Sequence, residues 1–173
     1  MNNIFLRGLT TIIIATIVGT IANLASPNRI EWFGFWPNVL DSDSVWLSPS
    51  YEEGDPPAIH LGAAFDRYLS RSYLFVDSRE PEEYETWHIV GAISLPFDDI
   101  DEYWPQVEPL MPVDTPIVIY CSGSECESSL YLARYMVEDL GYQNVEIFFG
   151  GWRAWYNERL PIEGKYGYDN SDE

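Results

Sequence analysis

The chain is poor in sulfur, in imidazole and in positive charge, and each shortage excludes a class of protein. Its only cysteines are Cys121 and Cys126, and its only histidines are His60 and His88. A small secreted fold stapled by disulfides needs more cysteines, spread along the chain. Two in one short segment leave either local thiol chemistry or a single local bridge. A zinc site takes four ligands in characteristic pairs, which two distant histidines do not supply, so neither a metal nor a cofactor is expected. Lysine and arginine total 9 against 28 acidic residues, a formal net charge of -19. No basic stripe is available to displace counterions from phosphates, which excludes a nucleic-acid partner. The same negative field repels small anions and an anionic leaflet, and it also keeps a surface solvated and dispersed.

What is present suffices for one domain. The chain has 173 residues, of which 46% are hydrophobic, enough to build a core and to exclude wholesale disorder. No internal repeat or low-complexity tract is visible.

Residues 1–25 form a separate segment. From Leu9 to Ala25 no residue is charged, the centre reads Ile12-Ile13-Ile14-Ala15-Thr16-Ile17-Val18, and Arg7 is the only charge before it. This approaches the roughly 20 apolar residues of a spanning helix. The single positive charge fits the start of an export signal and places the rest of the chain outside the cytoplasm, on the periplasmic side in a bacterium. Arg29, just beyond, works against that orientation. Cleavage after Ala22-Asn23-Leu24-Ala25 would instead release a secreted domain, but Asn23 fits the small-residue cleavage pattern badly. A retained transmembrane anchor is therefore the expectation.

Residues 26–58 hold Pro27, Pro37, Pro56 and Pro57 together with Trp32, Phe33, Phe35, Trp36 and Trp46. So many aromatics do not suit a purely solvated linker. They lie either at lipid headgroups, where Trp is favoured, or folded back on the domain. Regular patterning begins near Ile59 and ends near Ile162, followed by an acidic tail over 163–173. Within it, Tyr73–Val76, Ala92–Leu95, Ile117–Tyr120 and Val145–Phe149 read as strands. Glu82–Thr86, Ser128–Leu140 and Gly151–Arg159 read as helices, with Pro81 and Gly141 at their usual boundary positions. The β-branched run Ile117-Val118-Ile119-Tyr120 reads as a central parallel strand. Alternating strands and helices predict an α/β domain with helices on both faces of the sheet.

The chemistry is concentrated in Tyr120-Cys121-Ser122-Gly123-Ser124-Glu125-Cys126-Glu127-Ser128-Ser129. This run joins the central strand to a helix, at the sheet end where ligands bind in open α/β folds. Backbone N–H groups converging there, with the positive helix end, give a sulfur thiolate character and suit a covalent nucleophile. A strand-end cysteine is equally compatible with an inert small core residue. Asp77, Arg79 and His88 read as structural groups that tie strand ends and loops together, with a minor proton-transfer role left open for His88. Trp152 and Trp155, at helical spacing, read as core.

Four stretches, in order, resemble one family. Val76-Asp77-Ser78-Arg79-Glu80-Pro81, Trp87-His88-Ile89-Val90-Gly91-Ala92, Tyr120-Cys121 and Gly150-Gly151-Trp152-Arg153-Ala154-Trp155 are similar to the motifs of rhodanese-like domains, across roughly residues 59–162. The resemblance implies a central parallel sheet flanked by helices and a sulfurtransferase cycle in which Cys121 becomes a persulfide. It also implies a binding loop of Ser122, Gly123, Ser124, Glu125, Glu127 and Ser128. The loop departs from the family pattern in lacking Arg and Lys, carrying Glu125 and Glu127, and being longer. Its acidity disfavours thiosulfate. The absence of an Arg clamp disfavours the phosphatase activity found on the same fold. The expected partner is a small neutral sulfur donor or a protein persulfide or thiol. Cys126 is a candidate resolving thiol that closes a disulfide with Cys121. Two further functions remain open: a dithiol–disulfide redox protein, and a non-catalytic binding module that docks a partner on its acidic loop.

Overall fold

Strand β4 (Ile117–Tyr120) organises the domain. All four of its residues are buried, and they alternate between two cores. Ile117 and Ile119 point into one, Val118 and Tyr120 into the other, as the two-residue period of a strand requires. In this computed structural model, which describes residues 2–25, 45–123 and 126–169, β4 pairs in parallel with β1 (Leu74–Asp77) on one side and β5 (Val145–Phe148) on the other. β3 (Ile93–Ser94) joins β1, giving a parallel sheet of order β3-β1-β4-β5. The crossovers pass through helices, as parallel pairing demands.

The helices cover both faces, as the sequence predicts. On one side lies α5 (Ser128–Glu138), packed through Leu130, Ala133 and Met136. On the other, α2 (Leu61–Ser70) contributes Leu61 and Ala64, and α6 (Gly151–Asn157) contributes Trp155. The fully buried Trp155 ring makes edge or tilted contacts with Phe65, Tyr68, Phe75 and Phe148. A short helix α3 (Pro81–Thr86) opens on Pro81, whose missing N–H would have had no intrahelical partner.

The sequence reading misses several elements. Helix α4 (Ile100–Val107) contains Pro105 and follows a run of aspartates, so it lacks a helical signature. Strand β2 (His88–Ile89) pairs antiparallel with β6 (Ile162–Gly164), and β6 with β7 (Gly167–Asp169). Residues 163–169, expected as part of an acidic tail, are therefore a hairpin docked through Ile162, and its two-residue turn depends on Gly167 at φ 118°.

The described part of the segment before Ile59 folds back on the domain. Trp46 and Tyr51 pack edge-on against Phe149, Arg134 on α5 forks onto Asp55 at 2.6 and 2.8 Å, and Ala58 bridges to Ile147 in parallel at the β5 edge. Trp32, Phe33, Phe35 and Trp36 lie outside the described residues.

The chain divides into two units, residues 1–36 and 37–173. In the first, α1 (Asn2–Ala25) forms as expected, with apolar residues on all its faces and Thr16 and Thr20 hydroxyls donating to the carbonyls of Ile12 and Thr16. Its expected role as a transmembrane span is not supported, because among the described residues no helix is long and apolar enough to cross a membrane. Asn2, Asn3 and Arg7 occupy its first turns, and four threonines and Asn23 dilute the remainder.

Truncating Trp155 to Ala removes the ring that four aromatic neighbours enclose. The expected loss is about 3–5 kcal/mol of unfolding free energy, read as a lower denaturant midpoint at unchanged slope.

Candidate active site

The carboxyl ends of β1, β4 and β5 meet at one place, and three short loops leave from it. From β1 comes Ser78-Arg79, from β4 Cys121–Glu127, and from β5 Phe149-Gly150-Gly151. The last two interlock through their backbones. The Cys121 carbonyl accepts the Trp152 N–H at 2.8 Å, and the Ser122 carbonyl accepts the Arg153 N–H at 3.1 Å. Gly151 holds φ 57°, and a side chain there would collide with the Cys121 carbonyl and the Gly123 amide; one on Gly123 would meet the Gly150 carbonyl. These glycines are required by close approach as well as by φ.

Beneath them lies a buried ion pair. Arg79 is 3% and Asp77 0% exposed, and the guanidinium forks onto the carboxylate at 2.9 and 2.7 Å. Arg79 also donates to the Trp87 carbonyl at 2.8 Å and lies 4.8 Å below the Trp152 ring. The pair binds β1, the start of β2 and α6 into one frame. Trp152 is therefore not the core residue expected. Half-exposed, it walls a depression of about 410 Å³ together with Arg79, Glu82, Glu83, Thr86 and Trp87. His88 stacks on Tyr84 with ring centres 3.8 Å apart, and its ring nitrogens face the Tyr84 carbonyl and the Glu163 carboxylate. These contacts belong to the small antiparallel sheet and are structural.

Cys121 and Cys126 are both unbridged. Cys121, wholly buried, donates its thiol to the Cys126 carbonyl at 3.1 Å and accepts the Ser129 hydroxyl at 3.4 Å. Cys126 is half-buried, and its sulfur lies 3.2 Å from the Ser128 hydroxyl. Interaction with the Cys126 side chain, reinforced by burial, drives the Cys121 pKa strongly up. The same interaction with Cys121, with help from Ser128 and the amides of Ser122 and Ser128, lowers Cys126 to about 5 against the opposing effect of burial. The mutual interaction of the two cysteines, with the hydroxyl and amide donors around Cys126, favours thiolate character at Cys126 over the buried Cys121.

Of the other loop residues, Ser122 donates to Glu83 at 3.3 Å. Glu127 accepts from Ser48 and Tyr131, both at 2.8 Å, and its carboxyl is held below the usual range by the serine hydroxyls of residues 50 and 48 and by Tyr131. It fastens the loop to residues 45–58 and does not face the sulfurs. Ser124 and Glu125 lie outside the described residues. Ser78, Ser129 and Glu83 are site residues that the sequence reading leaves unassigned. Ser78 stands between Asp77 and Arg79, and Ser129 in the first turn after the loop, but neither position alone signals contact with sulfur. Among the described residues no cluster of metal ligands occurs.

An α/β domain with a cysteine at the end of its central strand, cradled by a glycine-locked loop, is the architecture of a thiol-based group-transfer protein. The model of the rhodanese-like domain matches residues 63–158, and the chain belongs to that family. Thiosulfate sulfurtransferase GlpE of Haemophilus influenzae is 31% identical over 98 residues, covering 57% of this chain and 87% of its own. The GlpE of Vibrio cholerae is 31% identical over 105 residues, 61% of this chain and 92% of its own. The tRNA uridine(34) hydroxylase of Photorhabdus laumondii is 38% identical over 81 residues, of which this chain spans 22% of the length. Among solved structures, the BH2092 protein from Bacillus halodurans superposes with a TM-score of 0.54 at 26% identity, covering 65% of this chain and 79% of that one. These relatives place the chain among rhodanese-like sulfurtransferases.

Replacing Asp77 with Ala strands the Arg79 charge in the interior. The expected cost is about 3–5 kcal/mol, and a denaturant midpoint equal to that of the parent chain would show that the pair is not a structural fastener.

Proposed function

We propose that this chain transfers sulfane sulfur, carrying it as a persulfide on Cys121. The observation that carries the reading is the placement of the Cys121 sulfur, buried at the end of β4 within reach of the Ser129 hydroxyl and the Gly123 amide. Such donors stabilise an anionic outer sulfur on a covalent intermediate. The donor is a neutral small persulfide or a protein persulfide. Glu83 hydrogen bonds to the loop itself, the overall charge is -19, and no described loop residue supplies a cation, so a dianion such as thiosulfate is disfavoured. Thiosulfate turnover belongs to the GlpE relatives by name and does not transfer to this loop.

A dithiol–disulfide cycle is the second reading, favoured by two unbridged cysteines on one loop, the Cys121 thiol donating to the Cys126 carbonyl. The nearly charge-free segment that follows Arg7 supports export of the domain to the extracytoplasmic side. Protease added to intact spheroplasts is expected to degrade the domain, and complete protection would overturn that location.

Intact mass of the purified full chain, before and after exposure to an alkyl persulfide, tests the main reading. A gain of one sulfur, reversed by reductant and located on Cys121 by peptide mass spectrometry, is expected. A loss of two hydrogens would indicate the disulfide cycle, and added sulfur that ends on any residue other than Cys121 in the wild-type chain would remove Cys121 from the carrier role.

A further inference from the structure

The two sulfurs differ in what they face. Cys121 is 0% exposed, whereas Cys126 is half-buried on the same loop, so a donor arriving from solvent meets Cys126 first. A chain of hydroxyls ends on Cys126. Ser78 Oγ lies 2.9 Å from Ser128 Oγ, which lies 3.2 Å from Cys126 Sγ. Ser78 Oγ also donates to the Tyr120 carbonyl at 3.0 Å, which accepts the Ser78 N–H at 2.9 Å on its other lone pair. The alternative orientation turns the Ser78 proton towards Ser128 and the Ser128 proton towards sulfur. Each hydroxyl carries one hydrogen, so the chain has two orientations. One aims a donor at an anionic Cys126, and the other withdraws it to the Tyr120 carbonyl, with no heavy atom moving.

We propose that Cys126 is the entry nucleophile, taking sulfur from the external persulfide and handing it inward to Cys121, with Ser128 and Ser78 as positioning residues. The proposal rests on the persulfide reading above. In the first step the Cys126 thiolate attacks the outer sulfur of a donor R–S–SH. The Cys126 S–S bond forms, the donor S–S bond breaks, and the leaving R–S⁻ takes the persulfide's proton as R–SH, so that Cys126 carries an anionic outer sulfur. In the second step the Cys121 proton passes to the outer sulfur, and the Cys121 thiolate, held by the Ser129 hydroxyl, attacks it. The Cys126–sulfur bond breaks, Cys121–S–SH forms, and Cys126 departs as the thiolate with which it began. Sulfane sulfur is transferred unchanged, so no external oxidant or reductant enters. The unequal acidity of the pair, with Cys126 near 5, agrees with this order, because Cys126 ends each cycle as the better leaving group.

The test is single-turnover uptake from an alkyl persulfide by the full chain, with the labelled cysteine located by peptide mass spectrometry. In the wild type the sulfur is expected finally on Cys121, and in Cys121→Ser it is expected trapped on Cys126. In Cys126→Ser, uptake near pH 6 should slow by about tenfold, the gain in thiolate fraction being offset in part by the lower nucleophilicity of an acidic thiol. Ser128→Ala should move the pH midpoint of uptake above 5. A measurement without variants is alkylation by iodoacetamide at pH 6, which should modify Cys126 before Cys121. Uptake by Cys126→Ser at the wild-type rate, or alkylation of Cys121 first, overturns the relay while leaving the carrier reading intact. A wild-type chain that takes sulfur on neither cysteine overturns both.

Discussion

The site depends on a backbone lock. Two carbonyls of the β4 loop, those of Cys121 and Ser122, are fixed by two N–H groups at the start of α6, and Gly123 and Gly151 give way so that the chains can approach. A buried peptide group left without such partners is costly, so the loop has few alternatives to this path. Below the lock, Arg79 supports the Trp152 ring from the Asp77 carboxylate, so the strand end carrying Cys121 and the helix that clamps it move as one body. The position of a single sulfur is thus set by three strands, a helix start and a buried ion pair.

Within this frame the chemistry is set by the sharing of donors and not by any cation. The loop carries no Arg or Lys, and it holds two thiols, one sealed and one half-open, the first donating to the second residue's carbonyl. Their coupling drives their acidities apart, as expected of groups that titrate together. Serines supply what charge does not. Ser128 and Ser129 bring hydroxyls to the two sulfurs, with Ser78 behind Ser128, and hydroxyls, unlike guanidinium groups, reorient as charge moves.

Much of this was legible in the sequence. Ile117–Tyr120 reads as a buried central strand because β-branched residues run unbroken between a proline and a cysteine, and its observed bounds agree. The rhodanese-like motifs locate every loop of the site. Elements whose stability comes from pairing partners far along the chain were not legible. Ile162–Gly164 is too short and polar to announce a strand, and forms only because Ile89 and His88 offer an edge. Helix α4 is hidden by Pro105. The division of labour between Cys121 and Cys126 was invisible for the same reason, since it arises from which amides and hydroxyls the folded loop aims at each sulfur. Trp152 and Trp155 share one helical stripe, yet only Trp155 is sealed, the other being drawn to the rim by Arg79.

The segment that returns along β5 alters how the sheet ends. Ile147 donates to the Pro57 carbonyl and accepts from the Ile59 N–H, so the chain adds one residue's worth of parallel pairing through Ala58 and then stops. Pro56 and Pro57 have no N–H to offer further outward. A sheet edge finished in this way cannot template the addition of a foreign strand. A protein whose central strands are as apolar as Ile117-Val118-Ile119 thereby carries its own terminator against edge-to-edge polymerisation.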